Sequence, residues 1–253
     1  MPMDHVWCED RRKFLRFATV GTAVLVGATR VRGASAQTPA GAPVKIGMIG
    51  AGREGSALGT LFAKAGHPIM FSSRRPENLK DLVAGLGARA QAGTVEQAIA
   101  FGDVIAIVVP YTAIEQIGKA HGAALATKPL VMDVSNPIAR RDGEDVVKWV
   151  NDQGGAGLAS AKLLPGARIV RAFNAIGYSR LAQIAHRAGD PVGVPIAGDD
   201  ASAIAMAERL IRDIGFEPVL VGGLSMGKHL VPGTPLGGEH TPAELRRIAA
   251  GLR

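Results

Sequence analysis

The sequence predicts a single α/β domain whose doubly wound sheet is built from parallel strands. From Val44 onward, short apolar runs alternate with segments of helical periodicity, which is the pattern of repeated strand–helix–strand units. Some runs, such as 103–109, are almost continuously apolar and rich in β-branched residues, as is typical of parallel strands covered on both faces. A glycine-rich turn between the first predicted strand and the first predicted helix agrees with this class of fold.

Each element is predicted from a local pattern. Strands are predicted at 44–50, 68–73, 103–109, 129–135, 166–173, 191–198 and 217–223. Helices are predicted at 54–66, 76–87, 200–215 and 241–253, and another helix is predicted to begin at Thr94. A proline at the first helical position and a terminal glycine bound the helix at 76–87. Thr94 and Gln97 have the spacing of a capping box, which marks a helix start.

Residues 1–36 differ in character from the rest of the chain. Arg11 and Arg12 precede an apolar run over 17–29, and small residues occupy 34–36. The run has 13 residues, too few to cross a bilayer as a helix. This order of charged, apolar and small residues resembles a twin-arginine export signal, which predicts a periplasmic protein, and a basic N-terminal helix is the alternative. The predicted divisions are an export signal at 1–36 that is removed, a linker at 37–43 and the folded domain at 44–253.

The composition argues against several classes of function. Removing the six basic and three acidic residues of the predicted signal from totals of 29 and 22 leaves 23 against 19, without a basic run, so nucleic-acid binding is not expected. The only cysteine, Cys8, lies in the predicted signal, so the domain has no thiol nucleophile or disulfide. Its five histidines lack the spacing of metal ligands, and no stable membrane span is expected. A metal site is therefore not predicted.

The first predicted turn carries glycines at the spacing G-x-G-x-x-G. Because this turn follows a predicted strand and opens a predicted helix, it has the context of a dinucleotide-binding fingerprint. The first glycine permits the tight turn, the second lets the pyrophosphate approach the backbone, and the third allows the helix to pack closely on the strand. Backbone N–H groups at the start of the helix would face the phosphates. The predicted cofactor-binding residues here are Gly50, Ala51, Gly52, Arg53, Glu54 and Gly55.

The tip of the second strand distinguishes between the two nicotinamide dinucleotides. NAD sites usually place an acidic residue there, to hold the ribose 2′-hydroxyl. This chain instead has two serines and two arginines, which suit a 2′-phosphate through charge-assisted hydrogen bonds. NADP is therefore the predicted cofactor, and the predicted contacts are Ser72, Ser73, Arg74 and Arg75.

The ends of two central strands are expected beside the nicotinamide half, because ligands of open α/β sheets bind at the carboxyl ends of strands. The residues concerned are Val109, Pro110, Tyr111, Asn136 and Pro137. The chain has no G-x-S-x-G, H-E-x-x-H or Tyr-x-x-x-Lys motif, and no catalytic acid or base is predicted. The absence of these groups fits hydride transfer between two bound cofactors, a reaction that depends mainly on how the two rings are positioned.

Six segments occur in an order that resembles the NADPH-dependent F420 reductases: GMIGAGREGSALG, SSRRPENL, DVIAIVVP, IVRAFNAIG, VPIAGDD and GGLSMGKHLVPGTPL. The resemblance covers about residues 44–236. It implies a Rossmann domain in which Ser72, Arg74 and Arg75 bind the 2′-phosphate. It also implies a deazaflavin side lined by Asn174, Ala175, Ile176 and Leu224, with hydride passing between nicotinamide C4 and deazaflavin C5.

The prediction is an NADP-dependent oxidoreductase that transfers hydride between NADPH and a flavin or deazaflavin such as coenzyme F420. One alternative is a sensor that binds NADP without turnover. Another is a reductase of a small carbonyl or imine. The expected partners are small molecules, and a homodimer is left open.

Overall fold

In the computed structural model, which describes residues 41–252, eight strands form one sheet with helices packed on both faces. The strands are β1 Ile46–Ile49, β2 Ile69–Ser72, β3 Ala90–Gly93, β4 Val104–Ile107, β5 Val131–Asp133, β6 Ile169–Arg171, β7 Gly193–Gly198 and β8 Glu217–Gly222. Their order in the sheet is β3-β2-β1-β4-β5-β6-β7-β8. The predicted doubly wound α/β fold, of Rossmann type, is confirmed.

The last two strands run against the other six. β1 to β6 are mutually parallel, whereas β7 pairs with β6 in the antiparallel sense and β8 is parallel to β7. An all-parallel sheet was expected, so this is a correction. The helix between β6 and β7, Tyr178–Ile184, has only seven residues, and the connection leaves β7 starting at the edge where β6 ends. A parallel crossover would instead have to carry the chain back across the sheet.

Ten α-helices occur in the described part of the chain. They are α1 Arg53–Lys64, α2 Lys80–Leu86, α3 Val95–Phe101, α4 Ala113–Ala126, α5 Ala139–Asp142, α6 Glu144–Asp152, α7 Ala156–Leu163, α8 Tyr178–Ile184, α9 Ala201–Asp213 and α10 Pro242–Ala250. The predicted helix at 76–87 is divided into a 3-10 turn, Pro76–Leu79, and α2. The capping box of Thr94 and Gln97 is present, and α10 has a second one.

The sequence patterns missed one strand and several helices. β3, with the sequence AQAG, has no β-branched or aromatic residue, so only its pairing with β2 defines it as a strand. The helices α4, α5, α6, α7 and α8 were not predicted either. Their sequences contain many small or polar residues, and α7 in particular is buried at alanine and glycine positions.

The core is divided by the sheet. Side chains alternate along the central strands, so that Val104 and Ala106 of β4 pack with α1, α8 and α9, while Ile105 and Ile107 pack with α3, α4 and α7. A third cluster joins β7 and β8 to α10. Both faces of β1, β4 and β5 are thus buried, which explains their continuous apolar runs.

None of the helices within residues 41–252 is both long enough and apolar enough to cross a bilayer. The predicted export signal, 1–36, lies outside the described residues. Residues 41–252 belong to one compact unit.

Candidate functional site

A cavity of about 660 Å³ lies at the carboxyl ends of β1, β4, β5 and β6. This is the edge at which open α/β sheets bind ligands. Its walls bring together backbone from the glycine-rich turn and side chains that follow the three other strands. Ten of the predicted site residues line it: Gly52, Arg53, Glu54, Gly55, Val109, Pro110, Asn136, Asn174, Ala175 and Ile176.

The glycine-rich turn has the geometry of a phosphate cradle. Gly50 has φ +103°, and a Cβ there would lie 2.2 Å from the carbonyl oxygen of Val108. A Cβ on Gly55 would lie 2.0 Å from the Gly50 carbonyl, so these two glycines are required by close packing. Gly52 is different, because a Cβ there would meet no protein atom within 4 Å. The open space is therefore at the second glycine, where a pyrophosphate would approach.

Gly52 is also the N-cap of α1, and no side chain caps this helix. The N–H groups of its first turn are left without side-chain acceptors within the described residues, and with the helix dipole they favour an anion. Ala51, half-buried, continues the same turn and its carbonyl accepts a hydrogen bond from the Ser56 hydroxyl at 3.0 Å. The uncapped helix and the open space at Gly52 both fit the phosphates of a dinucleotide.

The tip of β2 lies next to this turn, since Ser72 pairs in register with Ile49. The buried Ser72 hydroxyl accepts a hydrogen bond from the Gly50 N–H at 3.3 Å, so it supports the turn. The Ser73 hydroxyl accepts one from the Arg75 N–H at 3.0 Å. Arg74 and Arg75 are exposed, and neither is in an ion pair with another described residue. The positive charge at this tip therefore faces solvent.

Two predicted contacts have side chains directed into the core. Tyr111 is 1% exposed, and its hydroxyl donates to the carbonyl of Ala156 at 2.9 Å and lies 3.0 Å from the Ser160 hydroxyl. Burial raises the pKa of the Tyr111 phenol above its usual value. Leu224 packs in the same core cluster. Neither side chain lines the 660 Å³ cavity, whereas half-buried Pro137 directly follows the lining residue Asn136.

A buried ion pair supports the wall of the cavity. Arg171 and Asp133 are both fully buried, and Nη1 of Arg171 lies 2.6 Å from Oδ2 of Asp133. Nη1 also donates to the Ser135 carbonyl at 3.0 Å, and Nη2 donates to Oδ1 of Asn136 at 3.0 Å. Neither residue of this pair was among the predicted site residues. The signal was available, because each charge interrupts an apolar run, and charges buried in strands need a partner.

Asn174 forms part of the cavity wall and is 3% exposed. Its Nδ2 donates to the carbonyls of Asp133 at 3.2 Å and Ser135 at 3.3 Å. Its Oδ1 is buried and has no hydrogen-bond partner within the described residues. The preceding residue, Phe173, has φ +59°, a conformation that is uncommon for a bulky residue and that occurs more often at functional sites.

The rim of the cavity joins α1 to α8. The Arg53 guanidinium lies 5.7 Å from the centroid of the Tyr178 ring and donates to its hydroxyl at 3.2 Å. Burial raises the pKa of Glu54 to about 7, and a hydrogen bond from the Tyr178 backbone offsets part of that increase. Arg141 adds a second positive charge, and its Nη2 donates to the Asn136 carbonyl at 2.5 Å. Over residues 41–252, no group of three or more His, Cys, Asp and Glu side chains could hold a metal ion.

The fold and the glycine-rich turn define a Rossmann domain of the NAD(P)-binding class. Within it, residues 45–137 match the protein-family model described as NADP oxidoreductase, coenzyme F420-dependent. The match runs from β1 to the turn after β5, so it includes the glycine-rich turn, the arginines after β2 and Asn136. It supports an NAD(P)-dependent oxidoreductase.

Solved structures share the fold. A hypothetical protein, SMa0349 from Sinorhizobium meliloti, is 25% identical with a TM-score of 0.64, over 78% of this chain and 95% of that chain. A protein described as an F420-dependent NADP reductase, from Arthrobacter sp. FB24, is 20% identical with a TM-score of 0.64, over 73% and 87%. An imine reductase from Myxococcus stipitatus is 18% identical with a TM-score of 0.52, over 83% and 59%. No curated protein matches the chain at a significant level.

Proposed function

We propose that the protein transfers hydride between NADPH and a flavin or deazaflavin acceptor such as coenzyme F420. One observation carries the proposal: a single cavity connects the glycine-rich turn at Gly52 with Asn136 and Asn174 at the ends of β5 and β6. A dinucleotide with its pyrophosphate at the turn would therefore place its nicotinamide within the same cavity. The family-model match over 45–137 supports both the cofactor and the class of acceptor.

The residues of this chain would bind and orient the two cofactors and would exclude water from the reacting rings. The N–H groups at the start of α1 would bind the pyrophosphate, and Arg74 and Arg75 would bind the 2′-phosphate. Val109 and Ile176 supply apolar wall beside the reacting rings. When bound, NADPH supplies a hydride from its nicotinamide C4. Transfer to a flavin-like ring depends on positioning, so no side-chain nucleophile is required.

The NADP assignment is tested by titrating the protein with NADPH and NADH. Arg74→Ala is expected to weaken NADPH binding roughly tenfold or more, because it removes a charge-assisted hydrogen bond, and to leave NADH binding nearly unchanged. Arg246→Ala, at an exposed arginine of α10, is the matched control and should behave as wild type. Tighter binding of NADH than of NADPH, or no loss in Arg74→Ala, would refute the assignment.

A reductase of a small carbonyl or imine is the second candidate. Such a reaction needs a proton donor, and Glu54 lines the cavity with a pKa of about 7, so much of it is protonated at neutral pH. Incubating the protein and NADPH separately with flavin, deazaflavin and a cyclic imine distinguishes the candidates. This second function would be favoured if NADPH were oxidised in the presence of the imine but not of flavin or deazaflavin, and if Glu54→Gln abolished that oxidation. Binding of NADPH without oxidation by any of the three would favour the sensor.

We also propose that the protein acts outside the cytoplasm. The support is the order of paired arginines, apolar run and small residues within 1–36. The twin-arginine route carries folded passengers, which suits a protein that binds its cofactor before export.

A further inference from the structure

Arg141 follows β5 and lines the 660 Å³ cavity, and its side chain is 40% exposed. We propose that its guanidinium binds a phosphate group carried by the flavin or deazaflavin acceptor. This inference rests on the proposed function and specifies the class of acceptor. The acceptor is a phosphorylated flavin or deazaflavin, and the uncharged ring with its ribityl chain alone is a poorer ligand.

The order of the strands separates Arg141 from the place of the dinucleotide. The proposed 2′-phosphate contacts follow β2, the glycine-rich turn follows β1, and the residues expected beside the nicotinamide follow β4. β5 is next in the sheet, and because neighbouring strands are about 4.8 Å apart, its end lies about 10 Å from the end of β1. A dinucleotide that crosses the ends of β2, β1 and β4 therefore leaves the side of the cavity at β5 and β6 for the acceptor.

The guanidinium of Arg141 is held along one edge by its neighbours. Its Nε donates to Oδ1 of Asp142 at 3.1 Å, and its Nη2 donates to Oδ2 of Asp142 at 2.8 Å and to the Asn136 carbonyl at 2.5 Å. Asp142 is itself fixed, because its side chain is fully buried and its Oδ2 accepts a hydrogen bond from the Ile138 N–H at 2.9 Å. An arginine that is already fixed in this way loses little conformational freedom when a ligand binds.

Nη1 of Arg141 is the remaining nitrogen, and none of its hydrogen-bond partners lies among residues 41–252. It carries two N–H donors, and the guanidinium remains charged at physiological pH. Asp142 offsets the net charge, so we expect recognition by short charge-assisted hydrogen bonds rather than by long-range attraction. The several oxygens of a phosphate are strong acceptors for such donors, whereas a ribityl hydroxyl is a weaker one.

Two other arginines near this region differ from Arg141 in position. Arg53 also lines the cavity, but it belongs to α1 beside the glycine-rich turn and donates to the Tyr178 hydroxyl at 3.2 Å. It therefore lies on the side of the dinucleotide. Arg140 precedes Arg141 in α5 and is exposed, but it does not line the cavity. Arg140 thus provides a matched control with the same charge in the same helix.

Two pairs of ligands test the inference: riboflavin with FMN, and 5-deazariboflavin with 5-deazaFMN. The members of each pair differ only in the phosphate, and each is titrated into the protein with NADP⁺ bound, so that the dinucleotide site is occupied. Wild type is expected to bind the phosphorylated member roughly tenfold more tightly, the effect of a hydrogen bond between charged groups. Arg141→Gln should reduce this preference to less than about twofold and leave the affinity for NADPH unchanged. Arg140→Gln should keep the wild-type preference.

Unchanged NADPH binding also shows that Arg141→Gln is folded. If that variant does not bind NADPH, Arg141→Lys replaces it and should at least halve the preference, because an ammonium group cannot reproduce the fixed planar donors. The inference is overturned, while the proposed function stands, if wild type does not discriminate within either pair or if the preference persists in the variant. Loss of NADPH binding in both variants would overturn it too, since Arg141 would then serve the dinucleotide or the fold. If no flavin or deazaflavin binds to wild type, the proposed function fails and the inference fails with it.

Discussion

Glu54 places a carboxyl group where a dinucleotide would bring negative charge. Burial raises its pKa from 4.5 to about 7, and its Oε1 has no partner within the described residues. The group is therefore largely neutral at pH 6 and largely ionised at pH 8. A neutral carboxyl repels a pyrophosphate less than a carboxylate does, so the same burial that destabilises the charged form makes the turn more tolerant of phosphate.

The pH dependence of stability follows from that raised pKa. The folded protein retains a proton that the unfolded chain releases from about pH 4.5, so the free energy of unfolding should decrease as the pH rises from 4.5 through 7. Glu54→Gln should therefore raise Tm at pH 8 and change it little at pH 4.5. Allowing for partial solvent screening, about 1 kcal/mol, or roughly 2–4 °C, is expected.

Thermal unfolding of both proteins at several pH values measures the effect. Glu96→Gln, at an exposed acidic residue in the first turn of α3, is the matched control and should show no such difference. An equal Tm for wild type and Glu54→Gln at pH 8 would contradict the prediction.

At the scale of elements, the junction of β1 and α1 uses its glycines for different purposes. Gly55 allows α1 to approach the Gly50 carbonyl, whereas Gly52 leaves open space at the uncapped end of the helix. The first requirement concerns packing and the second concerns a ligand. A substitution at each position should therefore affect different properties.

Gly55→Ala should lower the free energy of unfolding by about 1–3 kcal/mol, because its Cβ would overlap backbone that cannot move freely. Gly52→Ala should cost less than about 1 kcal/mol, since its φ of −71° suits any residue, but should weaken NADPH binding by occupying the approach of the pyrophosphate. Denaturant unfolding and NADPH titration of both variants separate the two effects. A Gly52→Ala protein that binds NADPH as tightly as wild type would argue against a phosphate at this turn.

At the scale of the whole molecule, the described residues, 41–252, have a core on both faces of the sheet. All described helices and strands follow residue 40, so removal of residues 1–36 would delete none of them. Two regions close to each other in sequence thus have separable roles, one proposed for export and one for cofactor binding.

Replacing Arg11 and Arg12 together by lysine should abolish export and leave NADPH binding of the purified protein unchanged, because the export receptor recognises the arginine pair. Cell fractionation and the mass of the exported protein provide the measurement, and loss of residues 1–36 is the expected mass change. Lys45→Arg, in the folded unit, is the control. Unprocessed wild-type protein confined to the cytoplasm would refute the export proposal.

Local sequence determined much of the fold. The glycine spacing gave the position of the phosphate turn, and short apolar runs gave seven of the eight strands, because buried strands leave a largely apolar pattern. Capping residues gave the start of α3. β3 was missed because its four residues have no side-chain signal of a strand.

Only the tertiary structure decided the directions of strands and side chains. The reversal of β7 depends on how a short connection returns to the sheet, which no local pattern encodes. Tyr111 turns inward because acceptors from α7 lie within reach, and the side chain of Asn174 is oriented by carbonyl oxygens at the end of β5. Arg171 and Asp133 are 38 residues apart in sequence, so their pairing exists only once β5 and β6 are adjacent. The sequence by itself therefore determined the class of fold and its phosphate turn, whereas contacts between distant segments decided which polar side chains line the cavity and how they are held.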